Sequence, residues 1–255
     1  MNLSQEKRAI LQAAKQATKA LLKYYGKSEK AKEKSNNRLV SKADLEANKI
    51  IIKTIKKNFP SHSILSEETG FEGKKSDYKW VIDPLDGTHN FLHGIPIFGA
   101  SIALEYRNKP VLGVLNFPKL NILAYAEKGK GAFVNGKRAR VSNKGELDYS
   151  FISADYGQYD RKRRLKMLEN FGSKNIDFRS FGSAVYELLL VACGKSDAYI
   201  ITSTNEWDVA AGILLIEEAG GKVTDLRGGD WNFKKNNFVM SNGKLHKKLL
   251  EYTKK

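Results

Sequence analysis

Three acidic stretches, far apart along the chain, carry residue types suited to a hard cation: Glu67-Glu68, the run Trp80-Val-Ile-Asp83-Pro-Leu-Asp86-Gly-Thr88, and Glu206-Trp207-Asp208. The apolar triplet Trp80 to Ile82 predicts a buried strand with Asp83 emerging from its end, and Pro84 predicts a turn that lets Asp83 and Asp86 face one point. Carboxylates gathered at a strand end repel one another. An ion such as Mg²⁺, which accepts carboxylate, backbone carbonyl, water and substrate phosphate oxygens, relieves that repulsion. Each residue also has a purely structural role open to it. Asp-Pro and Asp-Gly pairs form turns, and an Asp ahead of an apolar helix, as at Asp208, is an ordinary N-cap. A shared ion requires the carboxylates to converge in space.

Two other side chains have types that do chemistry. Cys193 follows the apolar run Leu188 to Ala192 and reads as an inert helix residue. His89 falls in a predicted turn after Thr88, where a surface position or an indirect role fits as well as contact with substrate. Neither is assigned to catalysis.

The combination Ser66-Glu67-Glu68, Trp80-Val-Ile-Asp83-Pro-Leu-Asp86-Gly-Thr88-His-Asn-Phe91, Trp207-Asp208-Val-Ala-Ala-Gly212 and Glu218-Ala-Gly-Gly221 resembles the inositol monophosphatase family. That family belongs to the Mg²⁺-dependent, lithium-sensitive phosphatase superfamily that includes fructose-1,6-bisphosphatase, and the likeness runs from the first helix to near residue 243. It implies two or three Mg²⁺ ions. Glu67, Asp83 and the Leu85 carbonyl would hold a first ion with Thr88 nearby, and Asp83, Asp86 and Asp208 a second. Backbone N–H groups of Gly87 and Thr88 would meet the phosphate. Thr88 and Asp44, the latter in Val40-Ser-Lys-Ala-Asp44, correspond to a pair that orients or deprotonates the attacking water, with Glu67 also counted among the catalytic groups; Arg38 replaces a frequent acidic residue there. Gly182-Ser183-Ala184, with Asp86 and Asp208, matches the segments that contact substrate.

The resemblance implies a phosphomonoesterase acting on inositol 1- or 4-monophosphate or a similar small polyol phosphate, by direct attack of water. Such chemistry needs the phosphate dianion neutralised and the nucleophile supplied together, which paired metal ions do. Ile201 stands where animal members carry a Glu that binds inositol hydroxyls. Fructose 1,6-bisphosphate, NADP, adenosine 3′,5′-bisphosphate and histidinol phosphate are therefore alternative substrates. Glu206-Trp207-Asp208 is similar to a stretch of the 3′-phosphoadenosine phosphatases, although Thr88-His-Asn-Phe91 fits the inositol monophosphatase branch better. A homodimer is also implied.

Positioning these groups falls to elements readable from periodicity. Residues 3 to 25 predict an amphipathic helix, 26 to 37 an exposed loop, and 43 to 59 a second helix with Leu45, Ile50, Ile51, Ile52 and Ile55 on its buried face and Pro60 stopping it. Short β-branched runs between 63 and 134 predict a mostly antiparallel sheet. From 151 onward strands alternate with helices over 161–170, 183–193 and 208–219, followed by a last helix from 245. The expected fold is α/β (α+β), a layered αβαβα sandwich of the inositol monophosphatase and fructose-1,6-bisphosphatase type. A single phosphatase domain over 1–255 is expected, with halves 1–141 and 142–255.

Composition narrows the classes further. With 255 residues, 41% hydrophobic and 28% charged, the chain buries a sizeable core. One cysteine and four histidines offer neither an internal disulfide nor a zinc cluster, and no apolar stretch approaches a membrane span. The expected compartment is the cytoplasm. The net charge of +16, from 44 basic and 28 acidic residues, attracts phosphates of any kind. Its lysines are dispersed, as on a solvated surface, yet a basic RNA- or nucleoprotein-binding protein with secondary phosphatase activity is the rival class, without any aromatic-studded RNA motif in support.

Overall fold

The structure, a computed structural model, describes residues 2–27, 32–34, 38–154, 161–172 and 174–253. Helix α1 (Ser4–Tyr24) buries an alanine-rich stripe, Ala9, Ile10, Ala13, Ala14, Ala17 and Leu21, whose small side chains allow close approach of α2 (Lys42–Asn58). Between them β1 (Lys32–Lys34) and β2 (Arg38–Val40) form an antiparallel ribbon, so part of the expected loop is paired strand; 28–31 and 35–37 lie outside the described residues. The inward row of α2 is Ala43, Asp44, Ala47, Asn48, Ile51 and Ile55. This corrects the expected face: Leu45 lies off that row and is 52% exposed, and Ile50 and Ile52 are half-buried.

Strands β3 (Ser63–Ser66), β4 (Gly70–Glu72) and β5 (Tyr78–Asp86) follow, then short helix α3 (Thr88–Leu92), β6 (Gly99–Tyr106), β7 (Lys109–Phe117), β8 (Ile122–Glu127), β9 (Gly131–Val134) and β10 (Lys137–Arg138). They build an eight-stranded sheet in the order β10-β9-β8-β7-β6-β5-β3-β4. All its pairings are antiparallel except β3 with β5. The chain continues through β11 (Ser150–Ala154), α4 (Arg161–Asn170), β12 (Ile176–Arg179), α5 (Ala184–Ala192), β13 (Ala198–Ile201), α6 (Glu206–Glu218), β14 (Lys222–Thr224), β15 (Phe238–Ser241) and α7 (His246–Thr253). The second sheet is mixed, in the order β12-β11-β13-β15-β14.

Neighbouring residues on each strand feed opposite cores, as a period of two requires. Trp80, Ile82, Ile102 and Leu104 pack under α1 and α2, while Val81 and Ala103 face α5 and α6. Across those helices Tyr199, Ile201, Phe238 and Met240 close the same core from the second sheet. Ile152, Ile200 and Val239 point the other way, against Met167 of α4 and Leu249 of α7. Five layers result, αβαβα. The middle helices touch closely: a Cβ on Gly212 of α6 would lie 2.6 Å from Leu188 Cβ of α5. Among the described residues no helix is long and apolar enough to cross a membrane.

Candidate active site

Parallel pairing explains how Glu67 and Asp83 become neighbours. Ser66 of β3 is in register with Ile82 of β5, so the next residues of both strands leave the sheet side by side, and Glu67 N–H donates to the Ile82 carbonyl at 3.0 Å. Strand β5 does not turn at Pro84. It runs on to Asp86 with one extra residue between the pairs Asp83–Ser101 and Asp86–Gly99, a bulge that absorbs the proline's missing donor. Asp83 and Asp86 are both buried. The Leu85 N–H donates to Asp83 Oδ1 at 3.0 Å, and the Thr88 hydroxyl donates to the Leu85 carbonyl at 3.0 Å.

Gly87 turns the chain with φ +78°, and its Cβ position lies 2.7 Å from the Ile97 carbonyl, so only glycine fits. Asn90 of α3 donates to the carbonyls of Ile97 (2.9 Å) and Phe181 (2.7 Å), tying this turn to the segment ahead of α5. There Gly182 is left-handed and Ser183 caps α5, accepting from Tyr186 N–H at 3.1 Å and donating to Asp86 Oδ2. Ala184 opens the helix itself.

Asp208 is not the N-cap of α6. Asn205 holds that position, and Asp208, two residues into the helix, accepts from the Asn205 N–H (2.8 Å), the Asn205 amide (3.2 Å) and Thr204 Oγ1 (2.9 Å). Asp44 is held similarly at the start of α2, buried and accepting from Ser41 N–H (2.9 Å) and Ser41 Oγ (2.6 Å). His89 lies in helix α3, not in a turn. Cys193 caps the far end of α5, half-buried, and burial pushes its thiol above the usual range.

Electrostatics ties the separate stretches together. Burial, then the charges of Glu67, Asp86 and Asp208, hold Asp83 well above the usual carboxylate range. Asp86 is pushed up to about 8 by burial and by Asp208 and Glu67, against the pull of the Ser183 hydroxyl. The four carboxylates therefore sit within reach of one another's charge. Among the described residues, however, no three His, Cys, Asp or Glu side chains stand together as a group ready to hold a metal ion. Asp83, Asp86 and Asp208 each have one oxygen drawn into a local hydrogen bond. The donors are all oxygen and carry excess negative charge in a setting where Asp83 and Asp86 are buried and Glu67 and Asp208 half-buried, a set that fits a hard divalent ion.

Sequence patterning misses a cluster beside this site. Lys79 of β5 faces Glu105 of β6 across the sheet, and its Nζ lies 3.0 Å from Glu105 and 2.6 Å from Glu206 at the start of α6. Glu105 is fully buried; burial and then the charge of Glu206 raise it to about 8 despite Lys79. Although burial works to lower it, the two glutamates hold the Lys79 pKa above its ordinary value.

The sequence matches the family model for the inositol monophosphatase family over residues 2–255. The chain belongs to the inositol monophosphatase family. Membership places it among phosphatase-type hydrolases. It is 37% identical to the fructose-1,6-bisphosphatase/inositol-1-monophosphatase of Thermotoga maritima, over 91% of this chain and 89% of that protein. It is 36% identical to the Nus factor SuhB of Pasteurella multocida, over 94% and 92%. The crystal structure of the extragenic suppressor protein suhB from Bartonella henselae superposes with a TM-score of 0.94 at 38% identity, covering 99% of both chains. The layered sandwich is thus the fold of this family.

Proposed function

We propose that the chain is a Mg²⁺-dependent phosphomonoesterase that releases phosphate from a small polyol phosphate such as inositol monophosphate. The observation that carries this is the mutual charge of Glu67, Asp83, Asp86 and Asp208, drawn from three separate parts of the chain, with Asp83 and Asp86 buried and the other two half-buried. Glu67, Asp83, Asp86, Asp208 and the Leu85 carbonyl are the residues that would hold the ions. Magnesium, when bound there, neutralises the phosphate dianion and lowers the pKa of the attacking water. Thr88 and Asp44 orient that water and receive its proton. Gly87 and Thr88 present backbone N–H groups to the phosphate oxygens. Ser183, already donating to Asp86, fixes that carboxylate's rotamer, while the neighbouring Gly182 and Ala184 backbone borders the alcohol portion of the substrate.

Ile201 is 3% exposed and belongs to the core between the sheets, so that position offers nothing polar to a polyol. Fructose 1,6-bisphosphate is accordingly the second substrate, favoured also by the name of the Thermotoga relative. A panel of inositol monophosphate, fructose 1,6-bisphosphate, NADP, adenosine 3′,5′-bisphosphate and histidinol phosphate at fixed Mg²⁺ ranks them. No release of phosphate from any of these overturns the enzymatic assignment. The SuhB relatives, named Nus factors, favour a nucleoprotein role as the rival. Salt-sensitive RNA binding that persists in Asp83→Asn without phosphatase activity would support it. A homodimer is proposed from family likeness, to be checked by sedimentation.

A further inference from the structure

A cavity of about 370 Å³ lies away from the carboxylates, between strands β8 to β10 and the outer side of α5. Its volume falls in the range of small-molecule sites. The floor is apolar and includes Leu189 and Cys193; Lys137, Arg140 and Lys195 stand around it, Arg138 borders it but turns its guanidinium to Gly131 and the Phe133 ring on the other face of the sheet, and no acidic residue lines it. Lys137, Arg140 and Lys195 are exposed, and none of the three forms an ion pair with a carboxylate among the described residues. Elsewhere on the molecule, Lys23, Lys56, Lys128, Lys130, Lys235 and Lys248 do find acidic partners.

Three like charges beside an apolar recess select for a particular chemistry. A bare inorganic anion gains the charges and leaves the floor wet, and a neutral apolar molecule gains only the floor. A molecule with both parts buries its body and sets its head among the two ammonium groups and the guanidinium, which bind oxyanions. We propose that this recess binds a small amphiphilic anion, an aromatic or alkyl body with one oxyanion head, at a site separate from the carboxylate cluster. The two sites share α5, whose Ser183 end touches Asp86 and whose Cys193 end lines the recess.

Cys193 is the chain's sole thiol and serves as a reporter. The full chain is titrated by calorimetry with 2-naphthalenesulfonate, a head group that no phosphatase hydrolyses, in the presence of a chelator, and alkylation of Cys193 by iodoacetamide is timed alongside. Expected are saturable binding, slower alkylation at saturation, and a loss of about tenfold or more in affinity in K137A/R140A, equivalent to about 1.4 kcal/mol. Asp86→Asn binds the probe as tightly as the unaltered chain, and inorganic sulfate at equal concentration does not protect the thiol. Absence of saturable binding overturns the proposal, as does binding indifferent to the K137A/R140A change or lost in Asp86→Asn. Equal protection by sulfate overturns it too, and protection that rises with protein concentration alone assigns the face to a second copy of the chain.

Discussion

Lys79→Met tests whether the glutamates beside the carboxylate cluster depend on one cation. In the unaltered chain Lys79 Nζ lies within 3.0 Å of Glu105 and 2.6 Å of Glu206, and the Glu105 side chain has no solvent exposure. Removing one partner of a buried pair costs about 3–5 kcal/mol, and Lys79 retains 17% exposure, which places the loss near the lower end. For a chain of this size each kcal/mol moves Tm by about 2–4 °C, so a drop of about 6–12 °C is expected. The effect depends on pH in a defined direction. Glu105 in the folded chain titrates at about 8, above its ordinary 4.5, so its ionisation costs stability progressively as pH rises from 4.5 through 8. Lys79 offsets that cost, and without it the penalty grows. The Tm gap between variant and unaltered chain, followed by circular dichroism in chelator, should therefore be wider at pH 8.5 than at pH 5.5, with Lys79→Arg losing less. A gap under about 2 °C at pH 8.5, or one independent of pH, would refute the reasoning.

Asp86→Asn and Asp208→Asn are expected to abolish phosphate release while leaving the circular dichroism spectrum intact; full turnover in either contradicts the assigned roles. Without divalent ions Asp86→Asn should melt above the unaltered chain at pH 8.5, because the folded pKa of about 8 makes ionised Asp86 a cost that the amide removes. Added Mg²⁺ should raise Tm, and raise it more at pH 8.5 than at pH 6, since Asp83 and Asp86 must lose protons before an ion can enter; differential scanning calorimetry reads both. Gly212→Ala drives a methyl into Leu188 and should cost about 1–3 kcal/mol in urea unfolding.

Elements whose signal lies in their own residues were legible from the sequence. Helix α4 spans the 161–170 that periodicity assigns it, and the strands between 63 and 134 form the expected mostly antiparallel sheet. What escaped depends on partners distant in sequence. Leu45 is apolar, yet the helix direction set by packing against α1 turns it outward. Pro84 reads locally as a turn, but pairing with β6 carries the strand through it as a bulge. At the site, residue types marked Asp83, Asp86 and Asp208; the parallel register that sets Glu67 beside Asp83 belongs to the sheet. The hydroxyl of Ser183 on Asp86, and Glu105 beneath Lys79 and Glu206, join residues about 25 to 125 positions apart with no motif between them.

Asp83 and Asp86 are carried by a strand, whereas Ser183 and Asp208 ride the opening turns of the two helices filed between the sheets. The carboxylate cluster is consequently a seam between a strand layer and a helix layer, and its gape is set by the thickness of that greasy filling. Trimming a methyl from Val209 or Ile213, or squeezing the protein hydrostatically, alters the gap without touching a single ligand-bearing atom. In the proposed enzyme, turnover then gauges strain in the interior, and Ile213→Val is expected to shift it with every carboxylate in place.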